Sequence, residues 1–225
     1  MKKILAITAS LMFVASSAFA DTTNVGISIT DTTLAASGTE TVNSAGSGGG
    51  GAASAIAEKE GSATLASVFV ERQFETKNDR LNISLGLDFV PMSGEIAKLD
   101  GGDGTDAKVE AGKLLTLYVQ PTYLVNDRVS IYAKAGFSKG DLDISDVTRQ
   151  ATTAGTASTD SNQTKELSGT VLGFGAQIAM SNDMFIRLDA NRTDFDTINH
   201  TNSNSKKLTA DAEMDRISFV FGKSF

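Results

Sequence analysis

The chain has no cysteine and no tryptophan, and only two prolines and one histidine among its 225 residues. Without cysteine there is no disulfide framework, no thiolate metal site and no cysteine nucleophile. Nowhere after residue 20 does the sequence hold the roughly 20 consecutive apolar residues of a membrane-spanning helix. That excludes a helical membrane protein but not a barrel, because alternating strands average their hydropathy away. Positive charge is also short, with 20 Lys and Arg against 27 Asp and Glu, a net charge of −7. With no basic stripe to neutralise phosphates, a nucleic-acid partner is not expected. Two prolines beside 21 glycines suit long paired strands joined by flexible connections.

What is present begins with a leader-like segment. Lys2 and Lys3 make a positive start, residues 4–15 an apolar run, and Ala18-Phe19-Ala20 a small-x-small site. This pattern predicts a secretory signal peptide over 1–20, cleaved before Asp21, and a single barrel domain over 21–225. The alternative, an N-terminal anchor, needs a longer apolar run.

Strict alternation follows. Leu81, Ile83, Leu85, Leu87 and Phe89 are separated by Asn82, Ser84, Gly86 and Asp88, and the pattern recurs at 129–137, 170–180 and 186–190. Tight polar turns fall at Lys77-Asn78-Asp79, Asn126-Asp127 and Ser181-Asn182-Asp183. Long stretches rich in Gly, Ser, Thr and Asp fall at 36–61, 93–111, 146–165 and 197–206. Reading back from Phe225 predicts strands near 22–34, 62–74, 81–92, 113–125, 128–144, 167–180, 184–196 and 208–225. The expected fold class is all-β: an eight-stranded antiparallel up-and-down transmembrane β-barrel with short periplasmic turns and four long external loops.

A soluble up-and-down barrel alternates in the same way, but it needs an apolar interior to hold a ligand. Here one set of residues is nearly all Leu, Ile, Val, Phe and Ala. The opposite set carries small residues plus Glu71, Asp88, Lys134, Arg187, Asp189 and Arg216. A charged interior with an apolar exterior fits lipid. Phe74, Tyr123 and Phe225 fall low on the apolar face and Phe89 and Phe137 high, as two membrane interfaces favour. The chain ends fit less cleanly. Leu208, Ala210, Ala212 and Met214 share one parity, and Ile217, Phe219 and Phe221 the other. Either a bulge near Asp215 resets the phase, or Met214 points inward. The first strand, with Val25, Ile27 and Ile29, carries the weakest pattern.

The last ten residues, 216–225, alternate apolar residues and end in phenylalanine, with Phe219, Phe221 and Phe225 on one face. This resembles the C-terminal signal read by the barrel assembly machinery. With the leader and the strand layout, residues 21–225 look like the small outer-membrane β-barrel superfamily, which includes the OmpA membrane domain, OmpX-like proteins and opacity-type antigens. The resemblance implies location and architecture more than activity. No peptidoglycan-binding domain follows the barrel in this chain, so cell-wall tethering is not implied.

The inward charges are the main chemical constellation. Counting up from the turns puts Glu71, Gln120, Lys134, Gln177, Arg187 and Asp189 at similar depth, with Asp88 and Arg216 on the same face. In so narrow a barrel they are expected to pair and fill the lumen, with a leaky ion path as the sharper alternative. Asp100-Gly101-Gly102-Asp103-Gly104-Thr105-Asp106 is similar to one calcium-binding glycine-aspartate repeat, but a single repeat cannot stack, and Lys108 stands where an apolar residue belongs. Asp141, Asp143 and Asp146 invite the same calcium reading and the same objection. His200 has Asp196 and Ser203 near it in sequence, and Ser203 and Lys206 have a serine–lysine spacing, yet no orienting constellation can be read. No catalytic residue, metal site or cofactor is expected. The expected function is a non-enzymatic barrel for membrane integrity and surface presentation, with adhesion as an extension. The alternatives are a narrow porin-like channel and, behind it, a hydrolase at the rim. Expected partners are outer-membrane lipid, lipopolysaccharide and, through the last strand, the assembly machinery. A monomer is expected.

Overall fold

The computed structural model describes residues 22–42, 53–101, 105–148, 163–201 and 206–225. The predicted leader lies outside them. The strands are β1 (Thr22–Val42), β2 (Ala53–Glu75), β3 (Leu81–Phe89), β4 (Gly94–Gly101), β5 (Thr105–Leu124), β6 (Val129–Thr148), β7 (Gln163–Ala179), β8 (Met184–Phe195), β9 (Ile198–Thr201) and β10 (Lys206–Ser224). β4 continues the path of β3 along β5, and β9 continues that of β8 along β10, so the ten strands form eight staves. Every neighbouring pair is antiparallel. β1 closes on β10 from Asn24↔Ser224 to Val42↔Lys206. A closed barrel leaves no strand edge open to hydrocarbon, where an unpaired backbone group would cost several kcal/mol.

Three short turns sit at one end, each with local chemistry behind it. Thr76 Oγ1 donates to the Leu81 carbonyl at 2.6 Å and accepts from the Asn78 N–H at 3.2 Å. Asn126 Oδ1 accepts from the N–H groups of Arg128 and Val129, both at 2.9 Å. Asn182 and Asp183 hold positive φ of 62° and 61°, a conformation these residue types tolerate best after glycine.

Through the lower part of the barrel, Val25, Ile27, Ile29, Phe174, Leu188, Ile217 and Phe219 point outward and are exposed, while Ser28, Thr30, Asp189 and Ser218 point inward and are buried. The first strand thus follows the same rule as the others. Higher up the faces exchange character. Leu34, Leu65, Val90, Leu114, Leu167, Phe195 and Met214 point inward and form an apolar core, with Leu142 and Ile198 packed against it. Asp31, Asp194, Glu213 and Asp215 point outward. The strands do not change; the medium outside them does, from hydrocarbon to water.

This exchange settles the phase of the last strand. The ladders of β10 to β1 and β8 run through Asp215 without a register shift. There is no bulge, and Met214 points inward, 2 % exposed. The exchange also corrects the expected loops. Much of 36–61, 93–111, 146–165 and 197–206 continues as paired strand: β1 reaches Val42, β2 starts at Ala53, β6 reaches Thr148 and β7 starts at Gln163. The apolar core above the membrane supplies the reason. Each buried Leu, Met or Phe contributes roughly 1.5–3 kcal/mol, which offsets the ordering of strands that stand in water.

Pro121 lies inside β5. Its pairing to Ile83 of β3 is intact. On the other side the β5–β6 ladder omits Gln120 and Pro121 and resumes in unchanged register at Thr122↔Tyr132. A proline has no N–H to donate, so one rung of the wall is missing there.

Candidate functional site

The lumen is filled in layers by side chains from every stave. The lowest charged layer centres on Glu71 of β2 and Arg187 of β8, which are 0 % and 3 % exposed. Arg187 Nη1 donates to Glu71 Oε2 at 2.9 Å, and Nη2 donates to Oε1. Asn24 Nδ2 donates to Glu71 Oε1 at 2.8 Å, Tyr118 to Oε2 at 3.1 Å, and Arg187 Nε to Gln177 Oε1 at 2.6 Å. The guanidinium lies 4.5 Å from the Phe185 ring centroid and 5.3 Å from that of Phe69. A charge pair this deep survives only with further hydrogen bonds, and here every nitrogen of the guanidinium and both carboxylate oxygens have at least one partner.

A second pair lies above it. Lys134 Nζ donates to Asp189 Oδ2 at 2.9 Å, and the Tyr132 hydroxyl donates to Oδ1. Lys134 also sits 4.6 Å from the Tyr118 ring centroid. The third pair is looser, with Arg216 Nη1 3.7 Å from Asp88 Oδ1. Asp88 accepts from Ser67 at 2.6 Å, and a hydroxyl chain runs on through Ser28, Thr30 and Ser218. Arg216, Asn191 and Lys134 border a cavity of about 20 Å³, space for about one water. Gln120 is buried but stands apart: it reaches only Thr122, at 3.5 Å, and its Oε1 has no partner among the described residues.

The structure therefore brings together Glu71, Gln177 and Arg187, then Lys134 and Asp189, then Asp88 and Arg216, as three stacked groups. Sequence reasoning missed Asn24, Tyr118, Tyr132, Phe69 and Phe185. The signal was available, since Phe69, Phe185, Tyr118 and Tyr132 each lie two residues before an inward polar or charged residue and share its face. A second signal lies in register. Tyr118 is paired with Gly86, Tyr132 with Gly175, Phe69 with Gly26 and Phe185 with Gly222. A Cβ at Gly175 would come within 2.5 Å of the Tyr132 hydroxyl, so the glycine leaves the room in which the ring lies flat against the wall. Phe185 meets Gly222 by the same device, through the β8–β10 ladder.

A family model described as "Outer membrane protein beta-barrel domain" matches residues 6–222. The chain belongs to this family. Like others of its kind, it resides in the bacterial outer membrane, with the short turns on the periplasmic side. Among solved structures, OprG from Pseudomonas aeruginosa superimposes at a TM-score of 0.50, 13 % identity, covering 89 % of this chain and 96 % of that one. Ail, the attachment invasion locus protein of Yersinia pestis, gives 0.45 and 12 %, covering 90 % and 98 %. The Escherichia coli outer membrane protease OmpT gives 0.46 and 8 %, covering 91 % and 97 %. At such identities the likeness concerns the fold alone. No curated protein matches the chain.

The remaining candidates of this outer-membrane barrel are scattered. Asp196 accepts from Ser168 at 2.6 Å. His200 belongs to β9, where its backbone pairs with Leu208, while Ser203 lies outside the described residues. Asp141 pairs with Lys113 at 3.6 Å and Asp143 accepts from Thr164 at 2.5 Å. Asp100 and Asp106 are register partners in the β4–β5 ladder, and residues 102–104 lie outside the described residues. Among the described residues no three acidic, His or Cys side chains converge as a metal site. Phe219, Phe221 and Phe225 all point outward, and Phe225 exchanges backbone hydrogen bonds with Thr23 at 2.8 and 3.0 Å.

Proposed function

We propose that this barrel is non-enzymatic and non-conducting, and that it serves membrane integrity and the presentation of paired strands at the cell surface. The observation that supports the reading is the bidentate Glu71–Arg187 contact at the centre of the lumen. An eight-stranded barrel is just wide enough for side chains to fill, and this one is crossed by a hydrogen-bonded ion pair. The apolar layer of Leu34, Leu167, Phe195 and Met214 adds a second obstacle, since ions do not enter a dry constriction. Strands that continue beyond the membrane suit display, and adhesion is the interaction such a surface would support. The partners in this reading are outer-membrane lipid and lipopolysaccharide along the wall, and the assembly machinery at Phe219, Phe221 and Phe225. The working unit is a monomer.

The test is a planar-bilayer recording of the purified full chain. No stable conductance steps are expected from the wild type. Reproducible single-channel steps would replace this reading with that of a narrow ion or small-solute channel.

A further inference from the structure

The lipid-facing wall is not evenly convex. A groove of about 760 Å³ crosses it from β5 towards β10, walled by Tyr123, Ile131, Phe174 and Leu188 and floored by Ala133, Ala176 and Ala190. Register creates it. Tyr123, Ile131, Ala176 and Leu188 are successive cross-strand partners in one row, and Ala133, Phe174 and Ala190 are successive partners in the next. Small residues beside large ones leave a trough, whose volume lies within the ~300–1,000 Å³ typical of small-molecule sites.

The groove has a polar end. Leu81 opens β3 at the periplasmic rim and is paired with Tyr123. Beside it stands exposed Arg80, whose carbonyl accepts from the N–H of Leu124, the residue after Tyr123, at 2.8 Å. The outer rim differs. There Arg192 is held by Asp215 at 2.8 Å, and Lys139 by Glu166 at 2.7 Å. Arg80 pairs with no carboxylate among the described residues, although Asp79 precedes it and Asp127 and Arg128 occupy the next turn. An exposed guanidinium can accept an anion, and bidentate phosphate contacts are its strongest.

We propose that the groove binds one anionic phospholipid of the periplasmic leaflet, with its acyl chains along the alanine floor and its phosphate on Arg80 and Tyr123. Lipopolysaccharide fits less well, because its phosphates lie at the opposite rim, where Arg192 and Lys139 already hold carboxylates.

The experiment is native mass spectrometry of the full-length protein, extracted from outer membranes in mild detergent and then titrated with phosphatidylglycerol or phosphatidylethanolamine. One retained phospholipid is expected, with phosphatidylglycerol preferred severalfold, because the ammonium of phosphatidylethanolamine offsets the charge that its phosphate offers to Arg80. Arg80→Ala should keep the lipid and lose the headgroup preference. Ala176→Phe should fill the trough and lose the lipid, while its unboiled band still migrates faster on a gel. If that variant fails to fold, Ala190→Leu takes its place. A wild type without retained lipid, equal affinity for the two headgroups, retention of lipopolysaccharide instead, or binding unchanged by the filled trough would each overturn the proposal.

Discussion

Glu71 and Arg187 meet face to face across the lumen, each carboxylate oxygen accepting from one terminal nitrogen of the guanidinium. The pair spans 116 residues of sequence and ties β2 to β8. Removing one partner leaves a buried charge unsatisfied. Glu71→Ala is expected to lower unfolding stability by about 3–5 kcal/mol, measured by urea titration in lipid vesicles. The apolar double variant Glu71→Leu with Arg187→Met should recover most of that loss. A single variant as stable as the wild type would contradict a central role for the pair.

The apolar layer above the membrane makes a separate prediction. Leu167 is 2 % exposed among Leu34, Phe195 and Met214. Leu167→Ala should cost about 2–5 kcal/mol of local stability. Hydrogen exchange should speed up in the upper parts of β1, β7 and β10 and stay slow around Glu71. Uniform acceleration along the whole barrel would mean that the upper strands have no core of their own.

Pro121→Val restores the missing N–H between β5 and β6. One recovered hydrogen bond should raise stability by about 0.5–1.5 kcal/mol, and a protected amide should appear at position 121. A destabilised variant, or a freely exchanging amide, would show that the gap is not simply a missing donor.

Outside the membrane, hydrogen bonding from Arg192 holds the Asp215 carboxyl below the usual carboxylate range. The depressed value means that the pair is present above the ordinary Asp range and is lost as pH falls through the lowered value. The contribution is small, because both side chains are 55 % exposed and solvent screens them. A carbon-detected NMR titration should show Asp215 titrating below a free Asp. Arg192→Ala should return it to the ordinary range, and an unmoved titration would refute the assignment.

Sequence periodicity was enough to read the barrel, because within lipid each strand keeps one face apolar and one polar over many residues. Ile83, Leu85, Ile131 and Leu172 follow that rule without exception. The rule fails where the medium changes. Met214 and Phe195 are apolar and inward, so a single lipid-facing parity misreads them and suggests a bulge that the ladder does not contain. The extensions of β1, β2, β6 and β7 were hidden for a related reason: Gly, Ser and Thr composition resembles that of a loop unless the inner core is known. Of the lumen, the charges were legible as inward-facing residues, but not who meets whom. Glu71 could have met Lys134 or Arg187, and only the register around the barrel decides it. The aromatic–glycine pairs were legible in composition and invisible without that register.

The exchange of faces on β10 takes place between neighbours: Met214 in and Asp215 out, then Arg216 in and Ile217 out. These four residues act as a waterline. If the barrel sank by one residue pair, the Asp215 carboxylate would enter hydrocarbon; if it rose, Ile217 would leave its lipid for water. Both displacements cost free energy, so the strand fixes the height at which the protein floats as well as the stave to which it belongs.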